Sequence, residues 1–132
     1  DVARIDAALA EAFTRAAVDP QCMAVAGFSD GASYALSLGL RNSALFGNIM
    51  AFSAGLMVPG DTGPPARVFI SHGDKDHILP IATSRDILAP AIEKAGFLVT
   101  FVQFQGDHEL RAGIKEHALT NWFGIAPDAT PP

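Results

Sequence analysis

The sequence predicts an α/β fold in which a parallel sheet of about four strands is flanked by helices. Helical and strand patterns alternate along the chain, and each strand candidate is a short run that is apolar almost without interruption. This alternation requires right-handed crossovers, which place helices on both faces of the sheet. The predicted strands are residues 22–26, 48–52, 66–71 and 98–104.

The helix predictions rest on apolar residues spaced three and four positions apart. The first helix lies at the amino terminus and ends at Asp19-Pro20. Its apolar stripe consists of Val2, Ile5, Leu9, Phe13 and Ala16. A second helix should begin near Asp30, and a third at a capping box formed by Thr83 and Asp86. The last helix should carry an apolar face of Ile114, Ala118 and Trp122.

Length and composition limit the function classes. The chain has 132 residues, 49% of them hydrophobic, so one domain can bury a core. We expect that domain to cover residues 1–125 and residues 126–132 to form a flexible tail. The net charge of −5 argues against nucleic acid or an anionic membrane as partner, and no apolar run is long enough to span a bilayer. Cys22, the single cysteine, excludes an internal disulfide and a Cys-rich metal site, favours the cytoplasm, and should be inert inside the first strand.

One pentapeptide, Gly27-Phe28-Ser29-Asp30-Gly31, fits the pattern G-x-S-x-G between a strand and a helix. A sharp turn there lifts the Ser29 hydroxyl above the sheet, and we expect crowding across the turn to leave room only for glycine at positions 27 and 31. The helix that begins at Asp30 directs its free N–H groups at the same point, where an oxyanion would develop. A structural turn or a phosphate-binding loop is the alternative, but the lysine and third glycine of phosphate motifs are missing.

A serine nucleophile needs a base and an orienting acid, which in such folds follow it in the order acid, then histidine. The loop after the third predicted strand holds Asp74 and Asp76, and the loop after the fourth holds His108. Both loops lie at the same sheet edge as Ser29, because the carboxyl ends of parallel strands meet there. By position in the loop, either aspartate is a candidate for the acid.

The remaining histidines have plainer interpretations. His72 ends a buried strand and should be a hydrogen-bonded structural residue, His77 has no assigned role, and His117 should pack or face solvent on the last helix. A metal site built from the side chains of residues 72, 74, 76 and 77 lacks the helical pair of ligands that would support it. We therefore predict no metal and no cofactor.

Four stretches of sequence resemble a known family. They are AVAGFSDGASYALSLGL (24–40), IMAFSAG (49–55), VFISHGDKDHILP (68–80) and FQGDH (104–108). The chain resembles the carboxyl-terminal part of the α/β-hydrolase superfamily, and within it the bacterial phospholipase/carboxylesterase-like serine esterases. The resemblance implies that Ser29 is the nucleophile, that Asp76 in H-G-x-x-D-x-x-x-P is the acid, and that His108 is the base. It also implies that the Asp30 N–H donates to the oxyanion and that an ester is cleaved through an acyl-enzyme.

The predicted site is open. Only residues 53–65 separate the second and third strands, which is barely a crossover and leaves no room for a cap domain. We therefore expect a small acyl or aryl ester as substrate. Its pocket walls should come from Leu56, Met57, Ile78, Leu79 and Leu110. The alternatives are a non-catalytic binding module of the same fold, and a thioesterase or peptidase.

Two departures from the family pattern concern the amino-terminal side. The usual fold has about eight strands and draws a second oxyanion donor from a loop after an earlier strand, whereas four strands and no such loop are found in this sequence. The first predicted strand also lacks the charges or proline that protect natural sheet edges. We expect an upstream segment or a second copy of the chain to cover this edge; the alternative is that the first helix folds over it.

Overall fold

The computed structural model describes residues 2–123, and the predicted tail at 126–132 lies outside them. Four parallel strands form one sheet in the order β1-β2-β3-β4. They are β1 (Ala24–Phe28), β2 (Asn48–Phe52), β3 (Arg67–Gly73) and β4 (Leu98–Phe104). The α/β fold is confirmed, as are the predicted bounds of β2 and β4.

The helices are α1 (Val2–Arg15), α2 (Asp30–Arg41), α3 (Ala89–Lys94) and α4 (Ala112–Phe123), with a 3₁₀ turn at Pro20–Cys22 and a π-helical turn at Thr83–Leu88. Helices α2 and α3 connect strands and cover one face of the sheet, and α4, which follows β4, covers the other; β2 and β3 are joined by a loop without a helix. Among residues 2–123, no helix is both long enough and apolar enough to cross a membrane.

The core has two layers because β2 and β3 are apolar on both faces. On one face, Ile49, Val68 and Ile70 pack with residues of α2 and α3 such as Leu36 and Ile92. On the other face, a second cluster packs against α4 and consists of Met50, Phe52, Phe69, Val102, Phe104, Ile114 and Ala118. The two central strands are thus packed on both faces, and their carboxyl ends lie at the sheet edge where the site was predicted.

The first strand begins later than predicted. Asp19 caps the 3₁₀ turn by accepting the N–H of Gln21 at 2.9 Å, so residues 20–22 are drawn into a turn before the strand begins. The Cys22 thiol donates to the Asp19 carboxylate at 3.4 Å and is exposed. The expectation of a buried Cys22 inside β1 was therefore wrong.

Two helix predictions also need correction. The capping box of Thr83 and Asp86 does not form, because the helical segment already begins at Ile81, just after Pro80. Asp86 is instead bonded to the Arg85 guanidinium at 2.8 Å. The first helix is present but ends at Arg15, before the predicted end at Asp19-Pro20, and none of its residues is buried. Within its apolar stripe, Ile5 and Leu9 are half-buried, and Val2 lines a groove along α2.

Candidate active site

Ser29 occupies a strained turn between β1 and α2. Its backbone has φ 60° and ψ −120°, a conformation that costs a non-glycine residue roughly 1–3 kcal/mol. Its N–H donates to the Phe52 carbonyl at 2.9 Å, and its own carbonyl accepts the N–H groups of Ala32 and Ser33 at 3.0 and 3.1 Å. These bonds hold the turn to β2 on one side and to α2 on the other.

The two glycines of the motif are not equivalent. A Cβ on Gly27 would overlap the carbonyl group of Gly31 and crowd the N–H of Ala32, so this position accepts only glycine. A Cβ on Gly31 would meet nothing within 4 Å. The expectation that crowding requires glycine at both positions is wrong for Gly31, because its backbone approaches Gly27 while its own missing side chain would point into open space.

Three predicted residues form a continuous hydrogen-bonded chain at the carboxyl edge of the sheet. The Nδ1 atom of His108 lies 2.7 Å from Oδ2 of Asp76, and its Nε2 atom lies 2.9 Å from the Ser29 Oγ. An ionised carboxylate can only accept, so the imidazole proton lies on Nδ1. The unprotonated Nε2 then accepts the hydrogen of the serine hydroxyl.

The Asp76 side chain is fully buried. Burial alone raises the pKa of this carboxyl, but hydrogen bonds from the Leu79 N–H, from His108 and from the Ile78 N–H outweigh it and hold the pKa below its ordinary value. The two backbone bonds reach Oδ1 at 2.8 Å from Leu79 and 2.9 Å from Ile78. The carboxylate is therefore ionised and has one oxygen left for His108.

Asp74, the other candidate for the acid, faces a different partner. Its Oδ1 accepts the N–H of Gly106 at 3.1 Å, and its own N–H donates to the Phe104 carbonyl at 2.9 Å. Next to it, the Lys75 N–H donates to the Gly106 carbonyl at 2.8 Å. Asp74 thus joins the loop after β3 to the loop after β4, and of the two aspartates Asp76 is the one in contact with His108.

Sequence reasoning missed two residues that hold His108. The Oδ1 atom of Asp107 accepts the His108 N–H at 2.7 Å and lies 2.5 Å from Nδ1 of His77. The bond from His108 is the main reason why the pKa of Asp107 lies below its ordinary value. The Phe28 ring lies 5.0 Å from the His108 ring. Phe28 directly precedes Ser29, and Asp107 directly precedes His108. This adjacency to the predicted site residues is the sequence signal that could have identified them.

The predicted pocket walls divide into three groups. Leu56, Ile78 and Leu110 are exposed on the loops after β2, β3 and β4. Leu79 is half-buried, and its methyl groups lie against Gly55. Met57 is a correction, because its side chain packs against the core between α2 and α3 instead of lining the sheet edge.

A groove of about 480 Å³ runs along α2 from Asp30 toward Arg41, and Leu56 and Val58 form its apolar wall. Its lining does not include Ser29 or His108. The Ser33 hydroxyl accepts the N–H of Leu56 at 3.1 Å, and the Ser37 hydroxyl accepts that of Val58 at 2.9 Å. The loop after β2 is therefore held firmly against α2.

Asp30 supplies the first N–H of α2, one of the N–H groups that a helix leaves without intrahelical partners. This N–H directly follows Ser29, and the positive end of the helix macrodipole lies at the same place. Within the described part of the chain, no group of three or more His, Cys, Asp or Glu side chains is arranged to hold a metal ion.

Comparison with solved structures shows the same fold in esterases. The chain is 27% identical to esterase PE8 with a TM-score of 0.78, covering 92% of this chain and 59% of that one. It is 24% identical to a phospholipase/carboxylesterase from Dyadobacter fermentans, with a TM-score of 0.71 and coverages of 92% and 61%. A carboxylesterase from Bacillus cereus is also 24% identical, with a TM-score of 0.66 and coverages of 80% and 50%.

The chain thus spans between 50% and 61% of the lengths of these three structures. No curated protein matches the sequence. Residues 3–114 match the phospholipase/carboxylesterase family model, and this range contains the G-x-S-x-G turn at Ser29 and both loops at the carboxyl edge of the sheet. The chain therefore belongs to the phospholipase/carboxylesterase family, whose members are hydrolases of the α/β-hydrolase fold.

Proposed function

We propose that this chain carries the catalytic triad of a serine esterase, with Ser29 as nucleophile, His108 as general acid and base, and Asp76 as orienting carboxylate. The hydrogen-bonded chain from the Ser29 hydroxyl through His108 to Asp76, with bonds of 2.9 and 2.7 Å, is the observation that carries the proposal. Membership of a hydrolase family supports the same reading.

The proposed reaction begins when the Ser29 Oγ attacks the ester carbonyl and its proton passes to the His108 Nε2. The buried Asp76 carboxylate stabilises the positive charge that the imidazole then carries. His108 returns the proton to the departing alcohol, which leaves an acyl group on Ser29. A water molecule, deprotonated by the same Nε2, releases the acid and restores the serine.

The oxyanion of the tetrahedral intermediate needs hydrogen-bond donors, and the proposal assigns one of them to the Asp30 N–H at the start of α2. A second donor would come from an upstream segment or from a second copy of the chain that covers the edge of β1. Within the described residues, β1 pairs only with β2. Loss of one such donor typically costs about 3–4 kcal/mol of transition-state stabilisation.

The proposed substrate is a small ester. The exposed side chains of Leu56, Ile78 and Leu110 offer an apolar rim on three loops of the same sheet edge. Only the acyl or alkyl groups nearest the scissile bond would touch such a rim. The exposed Cys22 thiol supports a cytoplasmic location as part of the proposal.

A fluorophosphonate probe tests the nucleophile. The full chain should be labelled at Ser29, and Ser29→Ala should abolish the labelling, because Ser84, the other serine whose hydroxyl contacts a histidine among the described residues, is fully buried and inaccessible to the probe. Ser37→Ala is the matched control: this serine lies on α2 near the site, its hydroxyl binds the Val58 N–H, and its loss should leave labelling intact. Labelling that persists in Ser29→Ala would overturn the proposal.

A second measurement separates the alternatives. A folded wild-type chain that does not react with the probe would favour a non-catalytic binding module of the same fold. If it reacts, kcat/KM for matched aryl esters, thioesters and anilides identifies the bond it cleaves. We expect the esters to react fastest, and a preference for the thioester or anilide would replace the esterase proposal.

A further inference from the structure

A buried histidine that the proposed reaction does not use lies against Asp76. His72, the next-to-last residue of β3, has no accessible surface. Its Nε2 atom lies 2.7 Å from the Leu79 carbonyl oxygen and 3.1 Å from Oδ2 of Asp76. Its Nδ1 atom lies 2.7 Å from the hydroxyl of Ser84, which is also fully buried. Both ring nitrogens therefore have close polar partners.

These partners determine where the ring proton lies. The Leu79 carbonyl and the Asp76 carboxylate can only accept hydrogen bonds, so the shared nitrogen, Nε2, carries the hydrogen. The Ser84 hydroxyl then donates to the unprotonated Nδ1. The acceptors at Nε2 thereby select the tautomer of His72, and Ser84 orients the ring through its bond to Nδ1.

The His72 Nε2–H acts on Asp76 in two ways. It binds the carbonyl of Leu79, the residue whose N–H donates to the Asp76 Oδ1 at 2.8 Å, so it holds the turn that holds the carboxylate. It also lies beside Oδ2, the oxygen that binds His108 at 2.7 Å. The carboxylate is thus restrained at both oxygens.

We propose that His72, oriented by Ser84, is a positioning residue that keeps the Asp76 carboxylate aligned on His108. The inference rests on the proposed function, in which Asp76 orients the base. His72 touches neither Ser29 nor a substrate in this arrangement, so its effect passes through Asp76 alone. Its loss should lower kcat and leave KM nearly unchanged, because the alignment matters for proton transfer and not for ester binding.

Three variants test the proposal in the full chain with a small aryl ester. His72→Phe removes the N–H and should lower kcat about 10- to 100-fold, the range expected for one hydrogen bond to a charged group. His72→Gln places an amide N–H near the position of Nε2 and should restore most of kcat. Ser84→Ala releases the ring without removing its N–H and should lower kcat less than His72→Phe does.

The control for lost packing is Ile114→Val, a change in the core cluster that α4 forms with the sheet. This variant should keep the wild-type kcat.

Nuclear magnetic resonance of ¹⁵N-histidine-labelled chain gives a readout that needs no activity. We expect His72 to carry its proton on Nε2, and the His108 Nδ1–H signal to be protected from exchange in wild type and broadened in His72→Phe. A His72 proton on Nδ1, or an unchanged His108 signal together with unchanged kcat in His72→Phe, would overturn the positioning role. An unreactive wild type would remove the esterase proposal instead, and these signals would still decide whether His72 positions Asp76.

Discussion

The loops at the carboxyl ends of β3 and β4 differ sharply from the amino-terminal helix in how they are held. Asp74 and Asp107 bind backbone N–H groups across the two loops, and a Cβ on Gly73 would overlap the carbonyls of Gly106 and Asp107. In α1 no residue is buried, and Val2 and Phe13 remain 54% and 48% exposed.

This difference indicates that the geometry of the candidate site does not depend on α1. Asp76 and His108 belong to the firmly held loops, and Ser29 is anchored to β2 through its bond to the Phe52 carbonyl. Changes in these loops should therefore alter the chemistry, whereas changes in α1 should alter neither the chemistry nor the stability of the described fold.

The largest expected effect is the loss of the proposed base. His108→Ala should lower kcat for a small ester by a factor on the order of 10⁴ or more, because the Ser29 hydroxyl then has no proton acceptor. The matched change on α1, Phe13→Ala, should leave kcat within about twofold of wild type. Steady-state kinetics measure both. A Phe13→Ala variant that loses activity strongly would break the comparison.

The second effect concerns stability. Ile114 is fully buried on α4, and Ile114→Ala should lower the free energy of unfolding by about 2–5 kcal/mol. Phe13→Ala should cost less than about 0.5 kcal/mol, since the ring is half exposed. Urea titrations followed by circular dichroism measure both values. Equal losses would show that α1 contributes to the core.

The third effect distinguishes Gly27 from Gly31, the two glycines of the G-x-S-x-G turn. Gly27→Ala should lower the free energy of unfolding by roughly 1–3 kcal/mol, because its Cβ overlaps backbone that cannot move without opening the turn. Gly31→Ala should be neutral or stabilising by up to about 1 kcal/mol, since alanine favours the first turn of α2 and meets no neighbour. The same titrations decide. A Gly31→Ala variant as unstable as Gly27→Ala would contradict this reading.

The smallest effect is a dependence of stability on pH. The pKa of Asp76 lies below its ordinary value of about 3.9, so the unfolded chain binds this proton more readily than the folded chain does. The ionised carboxylate therefore stabilises the fold above about pH 4, and this contribution is lost as the pH falls through the lower folded value. Urea titrations at pH 7 and pH 3 give the free energy of unfolding at each pH. The difference between the two values should be smaller for Asp76→Asn than for wild type. An equal difference would exclude Asp76 as a source of the acid sensitivity.

Much of the fold was predictable because its signals are local. The runs at β2 and β4 are bounded by polar or turn residues and are apolar enough to locate both strands. The start of β1 could not be predicted from the apolar pattern. The Asp19 side chain caps a 3₁₀ turn at residues 20–22, and this turn takes the place of the first predicted strand residue. The capping box at Thr83 fails for a different reason: the helical segment already begins at Ile81, so Thr83 lies inside it.

The sequence by itself determined the α/β class, the turn at Ser29 and the order in which Asp76 and His108 follow it, because these depend on local patterns and motif spacing. The motif resemblance favoured Asp76 over Asp74, and the tertiary structure brings Asp76 into contact with His108. Only the tertiary structure decided that Gly27 and not Gly31 is crowded, and that Met57 packs into the core. It also joined His72 to Ser84 and Leu79. Each of these depends on which way a side chain points once two loops or two elements meet, and spacing along the chain carries no information about that direction.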